Sequence, residues 1–496
     1  LHWQNPRLHG TIIRQFFADR IGFPMAVHGT PAGFAAYSFF DMDTSYTPGW
    51  VEAQVARTIA EWNRCALPSL PAAVRYTGKE QRTHEKAYDE GLRAVQREAR
   101  RAPRTRDLRL AAQQRIVALF PGFASVALGL DAEQNHLITG SFLPVATELA
   151  RWARDFDPTI STNDIIQACR NAWSCCGLQA LLDEPMELTP SILAYSLLYP
   201  YTDNYLDQPG LSKASKIEFS QRFHQRLSGQ HLAARNPHEA RVWSMVQLIE
   251  GQYPRTSHAQ VFDAMLAIHR AQVDSMAQLN VRDRSANSWN NLPGQDLTDS
   301  DLLRITCAKG GTSVVADACV VQPWLAADES SFAFDWGVLL QLGDDLQDVR
   351  EDMRRGSITL FTRDVAQGKR LDPLIAQLLH FSRQTSDRMD RMPQGSASMK
   401  GLLRMSWRSL ILMAVADVQA YCSPSILAEL EACSPFRFNF LRERNQNLAS
   451  RAAFHDLLFD AFLEAGPGTT RRLPMAATLA QVDADREAAA LASLFA

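Results

Sequence analysis

The stretch Leu339–Thr362, LLQLGDDLQDVREDMRRGSITLFT, sets Asp344, Asp345, Asp348 and Asp352 along a segment whose leucines otherwise mark it as a buried helix. On a helix Asp344, Asp348 and Asp352 recur every four residues and share one face, while Leu342, Leu346, Val349 and Met353 occupy the opposite one. An acidic amphipathic helix of this kind ordinarily turns its carboxylates to solvent. Here the acidic face continues toward the N-terminus through Leu340 and Trp336, so one stripe passes from large apolar side chains to carboxylates. That is the pattern expected of a pocket wall with an acidic mouth.

A second stretch, YSLLYPYTDNYLDQPG from Tyr195 to Gly210, repeats the arrangement. Asp203 and Asp207 lie four apart, and their face leads back through Tyr199 to Tyr195. Pro209 and Gly210 end this helix and Gly356 ends the other, so both acid clusters sit at helix C-termini. A C-terminus already carries partial negative charge, and each exposed carboxylate there costs roughly 0.3 to 1 kcal/mol. A compensating cation is expected. Hard oxygen donors on two facing helices suit Mg²⁺, which takes a few carboxylates together with waters and phosphates. Neither cluster contains histidine or cysteine, which disfavours zinc.

In the third stretch, LLRITCAKGGTSVVADACVV from Leu302 to Val321, Lys309-Gly310-Gly311 interrupts an apolar helical run. Each mid-helix glycine costs about 1 kcal/mol relative to alanine, so the pair marks a kink, close helix packing or an approaching ligand. Arg304 and Lys309 flank it, as phosphate ligands or as partners of some Asp or Glu.

Around these three stretches strand signals are scarce, and helical periodicity recurs from about Pro48 to Leu463, which makes the chain all-α. Its 496 residues, 46% hydrophobic and 21% charged, are enough for a large core and for two or three domains. The expected divisions are residues 1–140, an irregular Gly/Pro/aromatic start followed by a helical extension; 141–465, the helical body; and 466–496, an Ala-rich peripheral tail. Within the extension, THEKAYDEGLRAVQREARRAPRTRDLRLAAQQR reads as a solvated helix face, and NVRDRSANSWNNLPGQDLTDSD reads as an exposed connection within the body. A net charge of -3 leaves no global basic field for nucleic acid or an anionic membrane. The eight cysteines show no C-x-x-C spacing, so neither a zinc site nor a disulfide framework is expected, and a reducing cytoplasm fits best. The longest uncharged run near the start, IGFPMAVHGTPAGFAAYSFF, is a poor membrane span, and no signal-peptide pattern precedes it.

Together DNYLD (Asp203–Asp207), GDDLQDVREDMRRGSITLF and their separation of 141 residues between Asp203 and Asp344 resemble the class I isoprenoid synthase superfamily. The segment KGGTSVVADACVV is also similar to one in the bacterial large-terpene synthases. The resemblance covers roughly Phe142 to Leu463. It implies an isoprenoid synthase-type helical bundle with an N-terminal helical extension, working on a prenyl diphosphate with Mg²⁺ as cofactor. Carried onto this chain, it makes Asp203, Asp207, Asp344, Asp348 and Asp352 the metal ligands, with Asp345 beside them in the catalytic cluster. Arg304, Lys309, Arg442 and Arg444 would hold the diphosphate. Tyr195, Tyr199, Gly310, Gly311, Trp336 and Leu340 would line the hydrocarbon pocket. Ionisation to an allylic cation, then cyclisation or condensation, is the implied reaction, and a lipid-like substrate or product implies peripheral association with a membrane. Where chain-elongating synthases have a second aspartate and then a basic residue, this chain has Asn204 and Gln208. Prenyl chain length, the fate of the cation and the oligomeric state are left open.

Two other classes fit parts of the pattern. His455-Asp456 in FHDLLFD suggests an all-α metal phosphohydrolase, for which His224, His231 and His269 would have to supply further ligands. A catalytically silent helical protein that keeps the fold as a binding surface is the second.

Overall fold

The computed structural model describes residues 46–100, 106–206, 208, 210–278 and 297–446. Among them the protein is all-α, without a strand. In chain order the helices are α1 (Pro48–Arg64), α2 (Gly78–Arg100), α3 (Arg106–Leu128), α4 (Ala132–Leu137), α5 (Leu143–Phe156), α6 (Thr162–Leu181), α7 (Pro190–Leu206), α8 (Lys213–Leu227) and α9 (Pro237–Gln252). There follow α10 (Ala259–Ser275), α11 (Asp299–Val321), α12 (Ala327–Gln347), α13 (Val349–Arg355), α14 (Leu360–Ala366), α15 (Asp372–Arg391), α16 (Ala397–Asp417), α17 (Pro424–Ala432) and α18 (Phe438–Gln446). None of them is long and apolar enough to cross a membrane.

The centre of the bundle is the antiparallel pair α11 and α12. Thr298 and Asp301 form a capping box at the start of α11, and the helix then runs unbroken through Lys309-Gly310-Gly311. Of the meanings open to the glycine pair, close packing is the one realised. A Cβ on Gly337 of α12 would lie 2.0 Å from Gly310 O, and one on Gly311 would lie 2.4 Å from the Phe334 ring. Backbone therefore meets backbone at this crossing, which no larger residue permits.

The N-terminal extension is part of the same body. Residues of α1 to α4 and of α5 to α18 belong to one hydrophobic core, and the boundary expected at 140/141 falls inside a π-helical turn, Ile138–Phe142, that joins α4 to α5. The charge run near the start divides between α2 and the beginning of α3, with residues 101–105 outside the described residues, and the buried stripe of α2, Gln81, Glu85, Tyr88, Gly91, Val95 and Ala99, recurs at helical spacing. The remaining charges of α2 form the solvated face expected. Helix α1 is fastened to α12 and α15 by a buried network. Asp335 accepts from Arg57 at 2.8 and 3.0 Å, from Thr58 at 2.8 Å and from Arg388, and Arg388 also reaches Glu61 at 2.8 Å. All eight cysteines are buried and free.

Candidate active site

Helices α6, α7, α8, α10, α11, α12 and α16 line an open-mouthed cavity of about 350 Å³. The stripe read from the sequence of α12 is on its wall: Trp336, Leu340 and Asp344 all line it. So do Tyr195, Tyr199 and Asp203 of α7 and Lys309 of α11. The two stripes share one cavity because each keeps to its own helix face, and the two helices bring their C-terminal turns to it. Beneath the acids the lining turns aromatic and aliphatic, with Phe142, Trp173, Trp336, Trp407, Leu403 and Met413 among its residues. Trp336 packs at 5.6 Å from Trp407 and 5.8 Å from Phe332, ring centre to ring centre.

Other expected site residues are placed elsewhere. Asp345 lies off the stripe, as its position on the helix requires. It is buried against α11, accepting from Thr306 at 3.1 Å and from Gln341 at 2.8 Å, and burial pushes its carboxyl up to about 6. Asp348 sits at the join of α12 and α13 (φ −90°, ψ 6°), and there the acidic stripe leaves the cavity. Asp352 follows it on α13, and burial, with Asp345 and Asp348 beside it, raises its carboxyl to about 8. Gly356 ends that helix at φ 76°, the left-handed stop expected of it. Gly310 and Gly311 face α12 and do not line the cavity. Arg304 is exposed and outside the lining. Arg442 bonds Asn439, and Arg444 pairs with Asp89 of α2 at 2.6 Å, so neither reaches the cavity. Asp207 and His455-Asp456 lie outside the described residues.

Sequence reading missed one cation. Arg170 of α6 lines the cavity, close enough to Tyr199 and Asp348 to feel their charge, while burial pulls its guanidinium below the ordinary arginine value. Its Nε is buried without a hydrogen-bond partner. The signal was a lone arginine in the mainly apolar run IIQACRNAWSCC. Lys309 plays the same part from α11, holding down the carboxyls of Asp345 and Asp352. The cationic compensation demanded by the helix C-termini is thus supplied in part by the chain itself. Asn204 is not among the lining residues and ties α7 to α6 through Asp164 and Gln167, a role that an amide donor serves.

Among the described residues no three His, Cys, Asp or Glu side chains form a group that could hold a metal ion. Mg²⁺ is commonly bound by only one or two carboxylates with waters and substrate phosphates completing its shell. Asp203 and Asp344, which line the same cavity, would be the carboxylates of such a shell. His269, which a phosphohydrolase reading would enlist, lines the cavity but lies 3.1 Å from Ser220 O through Nε2, and burial lowers its pKa to about 4.

Asp317 of α11 was also missed, although a single aspartate in SVVADACVV was its signal. It is buried, lines the cavity, and has its carboxyl raised by burial to about 8 from an ordinary value of 3.8. The unfolded chain releases this proton near its ordinary value, whereas the folded chain holds it to about pH 8. Folding therefore takes up a proton between these limits, and the contribution of Asp317 to stability falls as pH rises through the window and levels off above it. Urea denaturation of the wild type and of Asp317→Asn across that range should show a one-proton slope in the difference between them. A flat difference would mean that Asp317 is ionised in the folded protein.

No protein-family model matches the chain, and no curated protein or solved structure matches it.

Proposed function

We propose that the protein is a class I isoprenoid synthase that ionises a prenyl diphosphate to an allylic cation and directs that cation to cyclisation or condensation. The observation that carries this reading is the polarity of one cavity: Asp203, Asp344, Arg170 and Lys309 share it with an aromatic and aliphatic lining. A prenyl diphosphate has the same division, a charged head on a hydrocarbon chain. Arg170 and Lys309 would bind the diphosphate oxygens, and the Arg170 Nε is buried without a protein partner. Mg²⁺, held through Asp203 and Asp344, would supply neutralisation of the charge that builds on the leaving diphosphate. The walls around Trp336, Trp407 and Trp173 would hold the chain away from water, and their π faces would stabilise a passing cation.

Incubation of the purified protein with Mg²⁺ and prenyl diphosphates from geranyl to geranylfarnesyl should release pyrophosphate and yield hydrocarbon or alcohol products visible by mass spectrometry. Release of phosphate from simple esters instead would indicate a hydrolase. Inertness toward the whole panel would leave a binding protein.

Trp336 tests the hydrocarbon end. It is 2% exposed and also lines the cavity, so Trp336→Ala is expected to cost about 3 to 5 kcal/mol in stability. Because ring closure depends on one near-attack conformation, the product pattern of the surviving enzyme should broaden as well. Melting temperature and product distribution measured on one preparation separate the two effects, and an unaltered product pattern would remove Trp336 from the pocket.

A further inference from the structure

Two polar side chains sit where the hydrocarbon of a ligand would lie. Asp317 and Asn171 both line the cavity, and Asn171 Nδ2 donates to Asp317 Oδ1 at 2.8 Å and to Ser196 Oγ at 3.2 Å. Cys175 Sγ donates to the same Oδ1 at 3.4 Å. Asp317 Oδ2 and Asn171 Oδ1 take part in none of these bonds, and both residues line the cavity. On α11, Asp317 follows Lys309 by eight residues, about 12 Å along the axis at 1.5 Å per residue, so the pair lies well away from the charged end. Burial keeps the carboxyl largely protonated at neutral pH, which makes it a hydrogen-bond donor. A plain hydrocarbon chain would strip water from both atoms and return no hydrogen bond to either.

We infer that Asp317 and Asn171 form a second recognition point, which binds a hydroxyl group at the far end of the ligand's hydrocarbon chain. A hydroxyl accepts from the Asp317 carboxyl and donates to Asn171 Oδ1, satisfying both. A carbonyl oxygen only accepts and would leave the Asn171 oxygen without a donor. The inference rests on the prenyl diphosphate reading and narrows it: the preferred ligand is a prenyl diphosphate hydroxylated near its distal end. An upstream hydroxylation of an allylic or terminal carbon would be the class of reaction that supplies it.

The test is calorimetric titration with farnesyl thiodiphosphate, which resists ionisation, with its ω-hydroxy counterpart and with inorganic pyrophosphate. The hydroxylated compound should bind about tenfold more tightly than the plain one, the size of one buried hydrogen bond. Asp317→Leu should abolish that preference and leave pyrophosphate affinity unchanged. Equal affinity of the two thiodiphosphates for the wild type overturns the inference while leaving the diphosphate site intact, and this comparison stands even if the variant fails to fold. Should neither the thiodiphosphates nor pyrophosphate bind, the prenyl diphosphate reading fails on its own. The hydroxyl site is then judged by decan-1-ol against decane: a preference for the alcohol that Asp317→Leu removes supports it, and the absence of a preference overturns it.

Discussion

Asp344→Asn and Asp203→Asn should each lower pyrophosphate release by ~100- to 1000-fold, the usual cost of removing one electrostatic contact to a developing charge. Both carboxylates are half-buried and line one cavity from the C-terminal turns of different helices, so neither can stand in for the other. Asparagine keeps the shape and removes the charge. It fits the same packing, so the helical circular dichroism of the variants should be unchanged. Loss of turnover with a retained fold is the signature of a working group. Full activity in either variant would detach that carboxylate from the chemistry and undo the assignment of the charged end.

The second large effect is structural. Asp335 is 2% exposed and takes both Arg57 and Arg388 into its carboxylate, with Glu61 bridging the same two guanidiniums. Asp335→Ala would leave two arginines largely inside the protein with one carboxylate between them. Breaking such a cluster from one side costs about 3 to 5 kcal/mol, and the residual exposure of Arg57, 27%, points to the lower end. The loss should appear in chemical denaturation as a lowered midpoint with an unchanged slope. A change below about 1 kcal/mol would place the cluster with solvent-screened surface pairs. Asp335 adjoins Trp336 on α12, so the same network sets the rotation that points Trp336, Leu340 and Asp344 at the cavity.

How far the site was legible depended on whether a single helix decided the question. The period of 3.6 fixes which side chains share a face, and it correctly grouped Trp336, Leu340 and Asp344, as well as Tyr195, Tyr199 and Asp203. It also set Asp345 apart. The same rule extended the stripe to Asp348 and Asp352, but the helix is interrupted at Asp348, a local departure that no spacing announces, and neither residue is among the lining. Questions about neighbours were beyond it. The glycine pair of α11 is explained by Gly337 and Phe334 on another helix. Arg444 is engaged by Asp89, which lies on α2 near the other end of the described chain. A cation was required on electrostatic grounds, yet nothing in the motifs says that Arg170 on α6 supplies it.

The glycine seam between α11 and α12 also bears on how the protein can change. Gly310 and Gly337 leave no side chain at the crossing, so there is nothing there to trim and no room to enlarge. Any substitution at the seam must push the two helices apart, and with them Lys309 and Asp344, which belong to the charged end. On the proposed reading, drift toward longer or shorter ligands would fall instead to walls made of side chains, such as Leu402, Leu403, Leu410 and Met413 on α16. A combinatorial library aimed at new products would be best spent on α16. The α11 and α12 pair would remain the fixed frame against which new shapes are selected.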